Sequence, residues 1–177
     1  MNRSILPTPE EEKRRYEEHN NDVNDPKYQA FVSPITSGIF QEMTAEHSGL
    51  DFGSGTGPVV SKVLKDRGYN IREYDPFFAS DPHSLKIRYD YIVCCEVIEH
   101  FHHPAVEFKQ LHNLLNPGGP LYCMTHLYHP GIDFNKWYYK NDPTHVFIYQ
   151  KETLQWIKKT FRFTSLEIHN RMVVFTK

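Results

Sequence analysis

The segment that most constrains this 177-residue chain is Asp51-Phe52-Gly53-Ser54-Gly55-Thr56-Gly57. An apolar run, Gly49 to Phe52, leads into it, and Val59, Val60, Val63 and Leu64 follow at helical spacing until Gly68. The segment is therefore a strand-to-helix turn. Its glycines let the backbone approach a ligand closely, and the helix that follows offers unpaired N–H groups and the positive end of its dipole. The spacing is G-x-G-x-G rather than the G-x-G-x-x-G of dinucleotide binders. Asp51, two residues before the first glycine, repels a pyrophosphate and attracts an ammonium or a sulfonium. A second acid, Asp75, ends the next strand (69–74), where a carboxylate can accept both hydroxyls of a ribose.

The rest of the chain repeats this alternation of strand and helix. Residues 89–95 are a continuous apolar run, as expected for a strand buried on both faces. An amphipathic helix over 104–115 turns Val106, Leu111, Leu114 and Leu115 inward and ends at Asn116-Pro117-Gly118-Gly119. A strand over 120–125 and a helix over 151–160 follow, then strands over 163–168 and 172–176 as a closing antiparallel pair. The pattern predicts an α/β fold with a doubly wound, mostly parallel sheet. Ahead of it, Thr8-Pro9-Glu10-Glu11 opens a helix with a capping box, running to Glu18. Asp25-Pro26 opens a second helix that Pro34 interrupts and 35–43 continues. Residues 1–46 form a helical arm too poor in apolar side chains for its own core, so it must pack on residues 47–177.

Composition excludes several function classes. Twenty Lys and Arg against 22 Asp and Glu give a net charge of −2, with no basic run for sequence-independent nucleic-acid binding. No apolar run approaches the ~18–20 residues of a membrane span, and the first residues lack the apolar stretch of a secretion signal. Cys94, Cys95 and Cys123 sit in apolar runs without metal spacing, which predicts buried reduced thiols in a cytoplasmic protein. The sequence sets no oligomeric state.

The segments LDFGSGTG, EYDPFF, YIVCCEVIEHF, LNPGG and HVFIYQKETLQWI together resemble class I S-adenosylmethionine (SAM) dependent methyltransferases. The branch most similar is that of small-molecule enzymes related to quinone-biosynthesis methyltransferases. The resemblance implies a Rossmann-like fold, SAM as cofactor and S-adenosylhomocysteine as product. It places Asp51, Gly53, Ser54, Gly55 and Gly57 around the methionine portion, and Asp75 with Pro76 and Phe77 at the nucleoside. Cys95 and Glu96 would face the SAM amino group. Only 13 residues separate Asp75 from Tyr89, where the family fits a helix and a third strand, so that strand is reduced or absent. Phe77 covers the base in this reading and Ser84 and Leu85 flank it; packing alone explains Phe77 equally well.

Eleven histidines are the oddity of the composition. His100, His102, His103, His126 and His129 follow strands whose carboxyl ends should share one rim, where ligands bind in such sheets, and His145 precedes a segment that returns to it. A neutral imidazole there can take a proton from a methyl acceptor, with His126, His145 and His100 the candidates for catalysis. The alternative is a set of solvated or structural histidines. A zinc or iron set of His100, His102 and His103 with Glu96 or Glu99 lacks the H-x-x-x-H spacing, so no metal is expected. Phe134, Trp137, Tyr138 and Tyr139 line an acceptor pocket or form a satellite core, and Tyr16, His19, Asn20 and Tyr28 are candidates for a lid.

An Asn/Asp-Pro-Pro-Tyr motif and a Pro-Cys pair are both absent, which disfavours adenine, glutamine and cytosine as acceptors. The expected activity is methyl transfer to an O, N or S atom of a small molecule, with no nucleic-acid or membrane partner. Two alternatives stand beside it. One is a SAM-binding accessory protein without catalysis. The other is an NAD(P) oxidoreductase, which Asp51 and the glycine spacing disfavour.

Overall fold

The structure, a computed structural model, describes residues 6–18 and 21–177. Its helices are α1 (Pro9–Glu17), α2 (Pro26–Glu42), α3 (Val59–Lys65), α4 (Pro104–Leu114) and α5 (Lys151–Phe161). Its strands are β1 (Ser48–Phe52), β2 (Asn70–Tyr74), β3 (Tyr91–Cys95), β4 (Pro120–Met124), β5 (Ser165–His169) and β6 (Met172–Thr176). The strands form one sheet in the order β2-β1-β3-β4-β6-β5, with β1 to β4 parallel and β6 antiparallel to both of its neighbours. This is the predicted α/β architecture: a mostly parallel sheet closed by an antiparallel pair.

Strand β3 shows why its sequence is apolar without alternation. Ile92 and Cys94 pack with Phe108, Leu111, Leu154 and Ile157 of α4 and α5 on one face of the sheet. Tyr91 and Val93 pack with Val32, Ile35, Ile39, Val60 and Leu64 of α2 and α3 on the other. Both faces are covered, as parallel strands require. Cys94, Cys95 and Cys123 are free thiols, and burial pushes the Cys94 and Cys95 thiols up, which keeps them protonated. No described helix is long and apolar enough to cross a membrane.

Helix α1 begins as its sequence dictates. Thr8 N–H donates to Glu11 Oε2 at 2.8 Å, and Glu11 N–H returns a bond to Thr8 Oγ1 at 3.3 Å. Helix α2 departs from expectation, since Pro34 does not interrupt it. Proline removes one N–H from the ladder and crowds the preceding turn. Here Pro34 and Ala30, whose carbonyl loses that bond, both face solvent. Val32, Ile35, Thr36 and Ile39, on either side of the proline, are buried. Burial of one continuous face outweighs the lost hydrogen bond.

Helix α4 brings a second correction. Val106 is 64 % exposed, whereas Phe108 is fully buried with Leu111 and Leu114 beside it. Two residues of helix turn the chain about 200° around its axis, so Val106 and Phe108 cannot share a face. Between residues 75 and 89 there is no strand, only turns and the isolated Asp75–Ala79 bridge. Tyr89 Oη donates to the Ser84 carbonyl at 2.9 Å and pins that short link. The third strand is absent, as the 13-residue gap implied, and β2 becomes the sheet edge.

Replacing Phe108 with Ala should lower the unfolding free energy by about 3–5 kcal/mol in urea titration. Val106→Ala should change it by less than about 0.5 kcal/mol. Comparable losses at both positions would refute the α4 packing.

Candidate functional site

A cavity of about 610 Å³ opens where β1, β2 and β3 end, the rim at which sheets of this kind take ligands. Its floor is the glycine turn after β1. The N–H groups of Gly53 and Ser54 donate to the Tyr74 carbonyl at 2.7 and 3.1 Å, which folds the turn over the end of β2. Gly55 N–H donates to Asp75 Oδ2 at 3.0 Å, while Asp75 Oδ1 accepts from the Phe77 and Phe78 N–H groups at 2.8 and 3.1 Å. Gly53 and Gly55 take φ values of 80° and 64°, a region closed to most side chains. Gly57 is required for a different reason: a Cβ there would stand 2.0 Å from the Asn21 carbonyl oxygen.

All ten residues expected at the cofactor line this cavity: Asp51, Gly53, Ser54, Gly55, Gly57, Asp75, Pro76, Phe77, Cys95 and Glu96. Ser84 and Leu85 do not. The Asp51 carboxylate is buried against α3 and accepts from Ser61 Oγ at 2.8 Å. Burial pushes its pKa up to about 6, although the Ser61 bond works in the opposite direction. Glu96 takes a left-handed φ of 53° just after β3 and enters the wall from there.

Beside Glu96 lies a compact polar cluster. Glu99 is fully buried in a 3-10 turn (Ile98–His100) and accepts from Tyr139 Oη. Burial pushes the Glu96 and Glu99 carboxyls well above the usual range, and the Glu99 charge adds to this for Glu96. His100 and His145 reach the cavity with rings 4.9 Å apart. His102 is the third histidine in the wall, its Nε2 2.7 Å from Glu12 Oε1.

The other three rim histidines do not line the cavity. His126 is screened by Tyr139, whose ring lies 4.9 Å from His126 and 4.1 Å from His145. Its Nε2 is 3.2 Å from Tyr138 Oη, and burial lowers its pKa. His103 and His129 are exposed. The aromatic segment makes a satellite cluster in which Trp137 packs on Tyr139 and Tyr128, at 5.2 and 6.0 Å.

Helix α1 supplies part of the wall through Glu12 and Tyr16, and α2 supplies Tyr28 and Phe31. Of the four lid candidates, Tyr16 and Tyr28 therefore line the cavity, while His19 and Asn20 lie outside the described residues. Arg15 ties α1 down by donating from Nε and Nη2 to Asp142 Oδ2 at 3.3 and 3.1 Å. Burial alone would raise the pKa of Asp142, yet bonds from Thr144 and Arg15 hold it at about 2.

The charge of the wall was not legible from motifs. Glu12, Asp51, Asp75, Glu96 and Glu107 all line the cavity, and no described lysine or arginine does. Glu12 and Glu107 sit in polar helix stretches that carry no motif, so only their placement reveals them.

Residues 16–168 match the family described as Methyltransferase domain. The chain belongs to that family. No curated protein matches it. Among solved structures, a SAM-dependent methyltransferase from Archaeoglobus fulgidus is 14% identical, with a TM-score of 0.64 over 84% of this chain and 94% of its own. An O-methyltransferase family protein from Burkholderia thailandensis is 12% identical, with a TM-score of 0.62 over 98% of this chain. A phosphoethanolamine N-methyltransferase from Haemonchus contortus, solved with SAM, is 14% identical with a TM-score of 0.60 over 83% of this chain. This methyltransferase-domain chain spans 64% and 44% of the latter two, and at these identities the likeness is one of fold. The expected Rossmann-like fold and SAM cofactor agree with this family.

Because the folded protein favours protonated Asp51, it binds more protons than the unfolded chain between the ordinary carboxyl range and about pH 6. The stability from this group is therefore full at low pH and lost as pH rises through 6. Asp51→Asn should raise the melting temperature of the ligand-free protein at pH 8, by a gain on the order of 1–3 kcal/mol that shrinks toward pH 5. Thermal melts across that range check it; a gain independent of pH would refute it.

Proposed function

We propose that this chain transfers the methyl group of SAM to an oxygen, nitrogen or sulfur atom of a small molecule. The observation that carries this reading is the make-up of the cavity wall: five carboxyl groups, with no described lysine or arginine. Such a wall suits a ligand bearing a sulfonium and an ammonium. It opposes the phosphates of NAD(P) and the backbone of a nucleic acid, both of which call for cationic partners.

The residues present fit SAM. The three N–H bonds that Asp75 already accepts leave one lone pair, on Oδ2, for a ribose hydroxyl. A Cβ on Gly55 would meet nothing within 4 Å, so its backbone borders open space. Glu96 Oε1 is buried without a partner among the described residues and can accept from the amino group. Phe77 offers a ring to the adenine. When bound, SAM supplies a methyl group already activated by its sulfonium.

What the chain must then do is position. Holding two reactants in line can supply roughly 7–11 kcal/mol, and the enclosing walls from α1, α2 and the polar cluster serve that purpose. The acceptor enters beside Glu96, His100 and His145. Helix α1 acts as a lid, latched by the Arg15–Asp142 pair. The reading as an accessory SAM binder is favoured by one observation, the missing strand after β2.

Titration calorimetry should give heat with SAM and S-adenosylhomocysteine and none with NADH; equal heats for NADH and SAM would overturn the proposal. Asp75→Ala should weaken SAM binding by tenfold or more, a loss of ~1.5–3 kcal/mol, as expected for charge-assisted hydrogen bonds. An unchanged dissociation constant in a folded variant would remove Asp75 from the site. Arg15→Ala should speed SAM release in stopped-flow fluorescence with an unchanged circular dichroism spectrum; an unaltered rate would exclude the latch. Tight SAM binding without turnover over a panel of acceptors would favour the accessory reading.

A further inference from the structure

We propose that Glu99, His100 and His145, with Glu96 beside them, form a binding site for a divalent first-row transition-metal cation. One ligand atom from each of Glu99, His100 and His145 lies within 4.8 Å of the others. A point equidistant from three atoms at that spacing is about 2.8 Å from each, against ~2.0–2.2 Å for zinc bonds to imidazole nitrogen and carboxylate oxygen. Side-chain shifts of less than ~1 Å close the difference.

Both histidines are held in the tautomer that ligation needs. His100 Nδ1 lies 2.9 Å from the Thr144 carbonyl oxygen, and His145 Nδ1 lies 2.7 Å from that of Tyr139. A carbonyl oxygen only accepts, so each Nδ1 carries a proton, and in the neutral ring the lone pair is then on Nε2. Metal-binding histidines are oriented by the same kind of outer hydrogen bond. Both carbonyls come from the 139–145 segment, which therefore delivers His145 and orients both rings.

The carboxylates complete the argument. Glu99 is fully buried; one oxygen accepts from Tyr139 Oη, and Oε2 has no hydrogen-bond partner among the described residues. A buried carboxylate oxygen left unpaired is costly unless a ligand satisfies it. Glu96 Oε1 has no geometric hydrogen-bond partner among the described residues either; the Glu96 and Glu99 carboxyls interact with each other, and Glu96, His100 and His145 line the cavity. A cation that displaces the carboxyl protons would be balanced by two carboxylates, with the neutral imidazoles adding no charge. Imidazole nitrogen favours zinc, cobalt or iron(II) over magnesium or calcium. The spacing within the sequence hid this set, because His145 stands 45 residues beyond His100 and joins it only through the fold.

The site does not rest on the SAM reading, and the two are separable in one sample. The full chain, stripped with chelator and dialysed, is titrated with zinc alone by calorimetry and with cobalt(II) alone by visible spectroscopy. One equivalent should bind, and cobalt should show the intense ligand-field bands of a low-symmetry nitrogen–oxygen site. Glu99→Gln and His145→Gln should each weaken zinc binding at least tenfold, with circular dichroism reporting the fold of each variant. Absence of zinc heat together with the spectrum of hydrated cobalt would overturn the site, as would wild-type affinity in both folded variants. SAM heat without metal binding would overturn this site alone; metal binding without SAM heat would overturn the SAM reading alone.

Discussion

The Asp75 carboxylate holds the site together. It accepts N–H groups from Gly55 on one turn and from Phe77 and Phe78 on the next, so two loops from adjacent strands share one anion. Neither loop has a regular secondary structure to define it. Without that carboxylate the glycine turn would keep its bonds to the Tyr74 carbonyl but lose its fixed position relative to Phe77. The cavity, the placement of Asp51 behind it and the reach of Glu96 from the next strand are all arranged around this joint.

The joint matters more here because the sheet is incomplete. Where a third strand would brace the end of β2, residues 76–88 run through turns held by local bonds, such as Ser84 Oγ to Asp81 Oδ2 at 3.0 Å. Compensation comes from the N-terminal arm. Helix α2 packs its buried face on α3 and the sheet, and α1 crosses to the loop after β4 through Arg15 and Asp142. A chain of this length thus encloses a cavity of about 610 Å³ with walls drawn from the N-terminal arm as well as from the sheet.

The acidic wall and the His–Glu cluster show how local and long-range information differ. The strand-to-helix glycine turn and Asp75 were legible because their chemistry is fixed by neighbours in sequence: a turn needs glycine at positive φ, and a strand end presents its last side chain to the rim. The glutamates of α1 and α4 and the pairing of His100 with His145 were not legible. Glu12 and Glu107 lie on helices whose orientation depends on what they pack against. His126 shows the converse, since it follows a strand as predicted yet stands behind the Tyr139 ring. Packing likewise turned Val106 outward and carried α2 straight through Pro34.

By itself the sequence determined the order of strands and helices, the glycine turn with its two acids, and that the third strand is reduced or absent. Each of these follows from residue spacing, from the period of apolar side chains or from the number of residues available. Only the tertiary structure decided which charges face the cavity, which histidines meet, and that the helical arm forms a wall. Those features depend on side chains far apart in the chain being brought within a few ångströms, and burial on both faces of one sheet is what does so.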